Sequence, residues 1–379
     1  MDQPAPKVSA SRIVVIMPNW LGDGVMATPF LRAIRSLYPA TSCRIHVVTR
    51  PLVASVLTGL PFVDDIHIQK KGGEKETVRY LRANRFDLGI VLPNSFRSAW
   101  TLWRGGVNRR LGYKREWRSP LLTDSILPIK RTPEQRALDH RKEQAIAEIS
   151  NHAQNPSVGS PYQPVPTIDY YLRLAEYLGA PITDRRMELG ITEQERSEAE
   201  AAVGSIENLI VLVPGANFGS SKCWMPERFA RVADQLIAER NATVLIASSP
   251  AELPIVDAIM QAATRKERLI PLAKFNGGKG LSLGALKEIV RRSQLMICND
   301  TGPRHFAAAL GTPVVTLFGP TDPVWAETFY DKERQVRIDV PCGPCQLKKC
   351  PIDHRCMKGI TPEMVLAAAN QLWPITSNA

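Results

Sequence analysis

Three short segments concentrate residues able to do chemistry, and each follows a run of apolar residues. The first is Gly22-Asp23-Gly24-Val25-Met26-Ala27, after Ile13–Met17. It formally satisfies the G-x-G-x-x-G/A dinucleotide fingerprint, but Asp23 stands where a pyrophosphate would approach. Two unit negative charges about 4 Å apart repel by roughly 4 kcal/mol at an effective dielectric near 20. A carboxylate at a helix start fills such an anion site itself. Asp23 is therefore either a helix cap or a general base on a tight turn at the carboxyl edge of a sheet.

The second segment runs from Leu209–Val213 through Pro214-Gly215-Ala216-Asn217-Phe218-Gly219 to Ser220, Ser221 and Lys222. Backbone amides, two hydroxyls and one cation suit a phosphate or diphosphate. The spacing is not that of a Walker loop, and a solvated loop lysine is the bland alternative. In the third, Cys298-Asn299-Asp300-Thr301-Gly302-Pro303-Arg304-His305, Asp300 or Thr301 is placed to cap a helix opening at Gly302, with His305 on its first turn. That makes a second anion cradle or an ordinary capped helix. Glu252 follows Thr243–Ala247 by a few residues, where α/β sheets place ribose-binding carboxylates, and an exposed helix-start glutamate is the competing reading. Cys342, Cys345, Cys350 and Cys356 form C-x2-C-x4-C-x5-C with His354 nearby. Structural zinc and a set of buried or free thiols both fit that spacing.

Positioning these residues requires alternating strands and helices. Strands are expected at Ile13–Met17, Ile45–Thr49, Asp87–Leu92, Leu209–Val213, Thr243–Ala247, Leu295–Cys298 and Val314–Phe318. Helices are expected from Gly24 to about Leu37, from Pro51, from Ser95, and over Ile168–Leu178, Pro226–Ala238, Leu283–Arg291, Gly302–Leu310 and Pro362–Leu372. This alternation implies parallel sheets with crossover helices. It lapses over residues 149–166, a Pro/Ser/Asn/Gln-rich stretch read as a long loop or lid, and restarts after a linker near 180–192. The expectation is two Rossmann-like domains, 1–185 and 186–379.

The 379 residues suffice for two domains, and no run of about 18 apolar residues suggests a transmembrane helix. The N-terminus lacks a signal-peptide pattern, so a cytoplasmic, thiol-reducing location is expected. Charge is uneven. Residues 1–185 carry 26 Lys and Arg against 16 Asp and Glu, a balance of +10; residues 186–379 carry 22 against 21. A basic half favours an anionic partner: a phosphorylated substrate, a membrane surface or nucleic acid. Trp100, Trp103 and Trp117 among Arg97, Arg104, Arg109, Arg110, Lys114, Arg115 and Arg118 supply a weak version of the nucleic-acid pattern.

Four motifs, NWLGDGVMATPFLRAIR, PGANFGSSKCW, NDTGPRHFAAALGTPVVTLFGPTDP and PCGPCQLKKCPIDHRCM, resemble those of the glycosyltransferase family 9 heptosyltransferases. The Asn-Trp before Leu-Gly-Asp and the cysteine-rich tail favour its type II subgroup. The resemblance spans about Ile13 to Leu372. It implies an α/β fold of the GT-B type, with the acceptor in the first domain, the nucleotide-sugar in the second, and the final helix returning toward the first. It implies inverting transfer of L-glycero-D-manno-heptose from ADP-heptose to a phosphorylated lipopolysaccharide-core acceptor, with no catalytic metal and no cofactor beyond the donor. By position, Asp23 matches the base, Lys222 the diphosphate-binding lysine and Glu252 the ribose-binding glutamate. Asp300, Thr301, Gly302 and His305 match the donor-binding loop, beside Ser220 and Ser221. The same resemblance implies peripheral contact with an anionic membrane surface and no nucleic-acid partner. A nucleotide-sugar enzyme of another reaction class, epimerase-like, and a nucleic-acid-binding protein using the basic half and the cysteine cluster are the two alternatives.

Overall fold

Strands whose residues are apolar without interruption must be covered on both faces, and here they stand at the centres of two parallel sheets. The computed structural model describes residues 9–137, 144 and 162–375. The first sheet holds β1 (Arg12–Ile16), β2 (Arg44–Thr49), β3 (Asp65–Ile68), β4 (Leu88–Val91), β5 (Arg109–Tyr113) and β6 (Asp124–Ile126) in the order β3-β2-β1-β4-β5-β6. The second holds β7 (Leu209–Val213), β8 (Thr243–Ile246), β9 (Leu269–Pro271), β10 (Leu295–Asn299), β11 (Val314–Phe318) and β12 (Glu333–Arg337) in the order β12-β11-β10-β7-β8-β9. Every strand pair is parallel. Both sheets therefore share one winding, with the first strand between the second and the fourth. The order reverses beside β1 in one sheet and beside β7 in the other, and open α/β sheets bind ligands at such points.

β7, β10 and β11 are buried at every residue. β3 and β12, the partly exposed edge strands, carry polar sequences that hide them from apolar patterning, DIHI and ERQVR. The expected helix from Gly24 to Leu37 is two helices, Leu21–Met26 and Thr28–Leu37, parted at Ala27 with Pro29 opening the second. Helix Pro226–Arg240 opens on its proline, and helix Phe96–Arg104 is capped by Ser95, whose hydroxyl accepts from the Ser98 amide.

Contacts divide the chain into two units. One comprises 1–130, 162–190 and 324–329; the other comprises 131–161, 191–323 and 330–379. Within the first unit, Arg32 ties residues 184–188 to helix Thr28–Leu37 through Asp184, Glu188 and the Arg186 carbonyl. Thr167 donates to the Trp325 carbonyl at 2.7 Å. Within the second, the final helix Pro362–Leu372 packs on β11, β12 and helix Pro226–Arg240. Of the polar stretch 149–166, residues 149–161 lie outside the described residues, and Tyr162 bridges Lys130. Among the described residues no helix is long and apolar enough to cross a membrane.

Candidate functional site

In the first unit, the turn after β1 enters helix Leu21–Met26, and Asp23 is its third residue. The cap position belongs to Trp20, which makes no side-chain cap bond, so the cap reading of Asp23 fails. The half-buried carboxylate sits at the end of β1 next to β4, where the sheet reverses. Its neighbour is Tyr171, whose hydroxyl is pushed well above the usual phenol range by burial and then by the charge of Asp23. Gly24 has a packing reason: a Cβ there would lie 2.6 Å from Val53 Cγ1, so helix Leu21–Met26 can approach helix Pro51–Leu57 only without a side chain. The second glycine of the dinucleotide-like spacing is thus accounted for without a nucleotide.

In the second unit, the loops after β7 and β10 are adjacent because those strands pair. Asn299 pins them together: its amide donates to the Pro214 carbonyl at 2.6 Å and its oxygen accepts from the Trp224 amide at 3.2 Å. Lys222 reaches across to Asp300, with Nζ 2.5 Å from Oδ2 and 3.1 Å from the main-chain carbonyl. Lys222 is therefore not a solvated loop lysine; its side chain is 12% exposed and that of Asp300 is 8%. Thr321 also donates to Asp300 Oδ2 at 2.7 Å, and Arg304 Nη1 lies 3.7 Å from Oδ1. Burial alone would raise the Asp300 carboxyl, but Lys222, Arg304 and these hydrogen bonds outweigh it and hold it below the usual range. Arg304, fully buried, is itself paired to Glu333 on the edge strand β12 through Nε at 2.5 Å and Nη2 at 3.0 Å.

Helix Arg304–Leu310 begins two residues later than expected, with Pro303 at the cap position and no side-chain cap bond. Neither Asp300 nor Thr301 caps it, because the Asp300 carboxylate is committed to Lys222 and Thr321. The Arg304, His305 and Phe306 amides bond back to Thr301, Gly302 and Pro303. The Thr301 and Gly302 amides make no backbone hydrogen bond among the described residues, leaving two consecutive donors beside Lys222. His305 is buried, its Nδ1 has no partner, and burial followed by the Arg304 charge pushes its pKa down to about 3. It is a neutral imidazole at pH 7 and adds no positive charge to the cradle.

Glu252 closes a short 3-10 turn after β8, where Oε2 accepts from the Ser249 amide and hydroxyl at 2.8 Å each. Gly215 lies directly against it: a Cβ at Gly215 would fall 1.8 Å from Glu252 Oε1. The carboxylate is thereby held on the loop that carries Ser220 and Lys222. Ser220 is exposed, whereas Ser221 is buried and spends its one O–H on the Leu347 carbonyl. Its amide donates to Lys348, its carbonyl accepts from His354 Nε2 at 2.6 Å, and Gly219 abuts Lys348. The cysteine-rich segment thus grips the Lys222 loop. Cys342, Cys345, Cys350 and Cys356 are free thiols lining one small cavity with His354, and no group of three or more His, Cys, Asp or Glu among the described residues is placed to hold a metal ion.

The basic stretch 109–118 is not one patch. Arg109 and Arg110 lie at the amino end of β5, where Arg109 pairs bidentately with Asp124 and Arg110 donates to the Leu121 and Val107 carbonyls. Lys114 and Arg115 lie past its carboxyl end. Tyr171, Asn299, Arg304, Thr321 and Glu333 escaped sequence reasoning because their parts depend on pairings between distant elements.

Residues 141–355 match the family model for glycosyltransferase family 9 (heptosyltransferase). Lipopolysaccharide heptosyltransferase 2 of Escherichia coli K12 is 27% identical over 371 residues, covering 95% of this chain and 98% of that protein. The solved structure of the E. coli ADP-heptose lps heptosyltransferase II is 25% identical, with a TM-score of 0.73 over 95% of this chain and 98% of that one. E. coli heptosyltransferase WaaC with ADP-2-deoxy-2-fluoro heptose shares the fold at 14% identity, with a TM-score of 0.65 over 95% and 99%. The fold is α/β of the GT-B type. With 95% of its length aligned to such proteins and a family model matching more than half of it, the chain belongs to the heptosyltransferases of glycosyltransferase family 9.

Proposed function

We propose that the chain transfers L-glycero-D-manno-heptose from ADP-heptose to a phosphorylated acceptor in the lipopolysaccharide inner core, with inversion at the anomeric carbon. The observation that carries the donor half is Lys222 beside the Thr301 and Gly302 amides at the sheet reversal of the second unit. A cation and two oriented amides there would take the charge that develops on departing ADP, in the role a divalent ion would otherwise fill. Glu252, held against Gly215, is the ribose-binding carboxylate of this reading, Ser220 lies on the diphosphate loop, and Asp300 orients Lys222. The names of the similar proteins, which cite ADP-heptose and lipopolysaccharide, support the choice of donor and acceptor.

Asp23 of the first unit is the general base. The acceptor hydroxyl oxygen bonds to the anomeric carbon while its proton passes to the Asp23 carboxylate; the bond from that carbon to the diphosphate oxygen breaks, and ADP leaves with the electron pair. The basic balance of residues 1–185 supports a phosphorylated acceptor on this side. A panel of nucleotide-sugars, read by thermal shift and then by ADP release with core acceptors in the presence of EDTA, tests the reading. ADP-heptose should be preferred and turnover should persist in EDTA. Isomerisation of another nucleotide-sugar with ADP-heptose untouched would replace it with the epimerase-like alternative.

A further inference from the structure

Exposed large apolar side chains are unevenly shared: of eleven among the described residues, ten belong to the first unit and only Ile375 to the second. Single exposed apolar residues are ordinary, but Trp117 is not merely exposed; it is held out. The residue is 95% exposed at the tip of a turn in which Glu116 and Trp117 both have positive φ, 49° and 56°. Non-glycine residues rarely adopt that conformation, and two in succession require a surrounding structure that enforces it. The clamp is Arg118, wholly buried, which donates to the Tyr113 carbonyl at 2.9 Å, to the Pro93 carbonyl, and to Asn94 Oδ1 at 3.3 Å. Arg115, on the same turn, lies over the Tyr162 ring at 4.4 Å.

The Lys114 amide bonds to the Ile126 carbonyl at 2.8 Å, which sets the tip of this turn beside the end of edge strand β6. There Leu127 is 51% and Ile129 47% exposed, and Lys114 and Lys130 are exposed cations; Glu116 is the exposed acid of the turn. An indole and two aliphatic side chains interleaved with lysines match a bilayer interface, where tryptophan settles at headgroup depth and lysines meet anionic lipid. We propose that the Lys114–Arg118 turn, with Leu127 and Ile129, anchors this enzyme to an anionic phospholipid surface. The idea deepens the reading of the first unit as the acceptor side and rests on it for its purpose.

The test needs neither donor nor acceptor. The full-length chain is sedimented with phosphatidylglycerol/phosphatidylethanolamine vesicles and with phosphatidylcholine vesicles. Binding should favour the anionic vesicles, weaken with salt, and fall about tenfold in Trp117→Ser. Trp103→Ser, at the far end of helix Phe96–Arg104 and 47% exposed, should bind as the parent does. Quenching of indole fluorescence by brominated acyl chains should be lost in Trp117→Ser alone, and that variant should keep its melting temperature and its turnover of a deacylated, water-soluble acceptor. Equal vesicle binding by Trp117→Ser and the parent overturns the proposal. So do failure of the parent to bind anionic vesicles, oligonucleotide binding that Trp117→Ser removes, and a dimer that Trp117→Ser dissolves. A chain that bound vesicles through Trp117 yet left ADP-heptose untouched would sink the transferase reading and spare this one.

Discussion

Replacing Lys222 by alanine should separate what this lysine does for nucleotide from what it does for the fold. Its ammonium is nearly enclosed and sits 2.5 Å from Asp300 Oδ2. If it also serves the diphosphate, its loss removes a charge-assisted hydrogen bond worth about 1.5–3 kcal/mol, or roughly 10- to 150-fold in the dissociation constant of ADP. The same change strips Asp300 of its nearest cation. Breaking a buried pair from one side costs about 3–5 kcal/mol, and the low end applies here because Thr321 and Arg304 still face that carboxylate. Loss of folding could therefore pass for loss of binding.

The double variant Lys222→Ala/Asp300→Asn removes the orphaned charge along with the lysine. It should recover most of the melting temperature lost in Lys222→Ala while ADP binding, measured calorimetrically, stays weak. Affinity for ADP within twofold of the parent in that double variant would refute the diphosphate role and leave Lys222 as a tie between the loops after β7 and β10.

Asp23→Asn should lower turnover by about 10²–10⁴-fold with ADP-heptose affinity nearly unchanged, as expected for a general base; near-normal turnover removes the assignment. Gly24→Ala should cost about 1–3 kcal/mol in denaturant unfolding, because its Cβ would meet Val53 at 2.6 Å, and Val53→Ala should restore stability. A Gly24→Ala variant as stable as the parent would show that this approach is not tight. His305, pushed down to about 3 in the folded chain, leaves the unfolded chain to take a proton first as pH falls below about 6.5. Stability should thus fall from about pH 6.5 down to about 3, beginning well above the acidic window in which Asp300, held below its usual range, loses its contribution. The slope of melting temperature against pH in that interval should flatten in His305→Gln, and an unchanged slope would mean that other groups set it.

The centres of both sheets were legible because β1, β7, β10 and β11 are apolar runs of the right length, and burial on both faces leaves such runs little alternative. The edges were not. β3, β6, β9 and β12 are three to five residues long, and β3 and β12 in particular are drawn from polar sequence. The interleaving of tryptophans with basic residues up to Arg118 does not make one surface, because spacing along a chain does not say where a strand lies. β5 carries the two halves of the basic 109–118 stretch to opposite ends of the sheet and commits Arg109 and Arg110 to local partners.

The candidate donor site shows the same limit from the other side. Lys222, Glu252 and Asp300 each follow a strand, so sequence could place all three at one sheet edge. It could not say that Asp300 would choose Lys222 over a helix cap, because that choice depends on β7 lying next to β10 and on Arg304 being neutralised by Glu333. The cysteine-rich segment is the sharpest case. Its spacing speaks only of zinc or free thiols, yet its carbonyls at Leu347 and Lys348 and its His354 hold Ser221, one residue from Lys222. A segment more than a hundred residues away along the chain therefore sets the backbone of the proposed diphosphate loop. That is why Ser221, a phosphate ligand by composition, is better understood as the anchor that keeps Lys222 in register with Asp300.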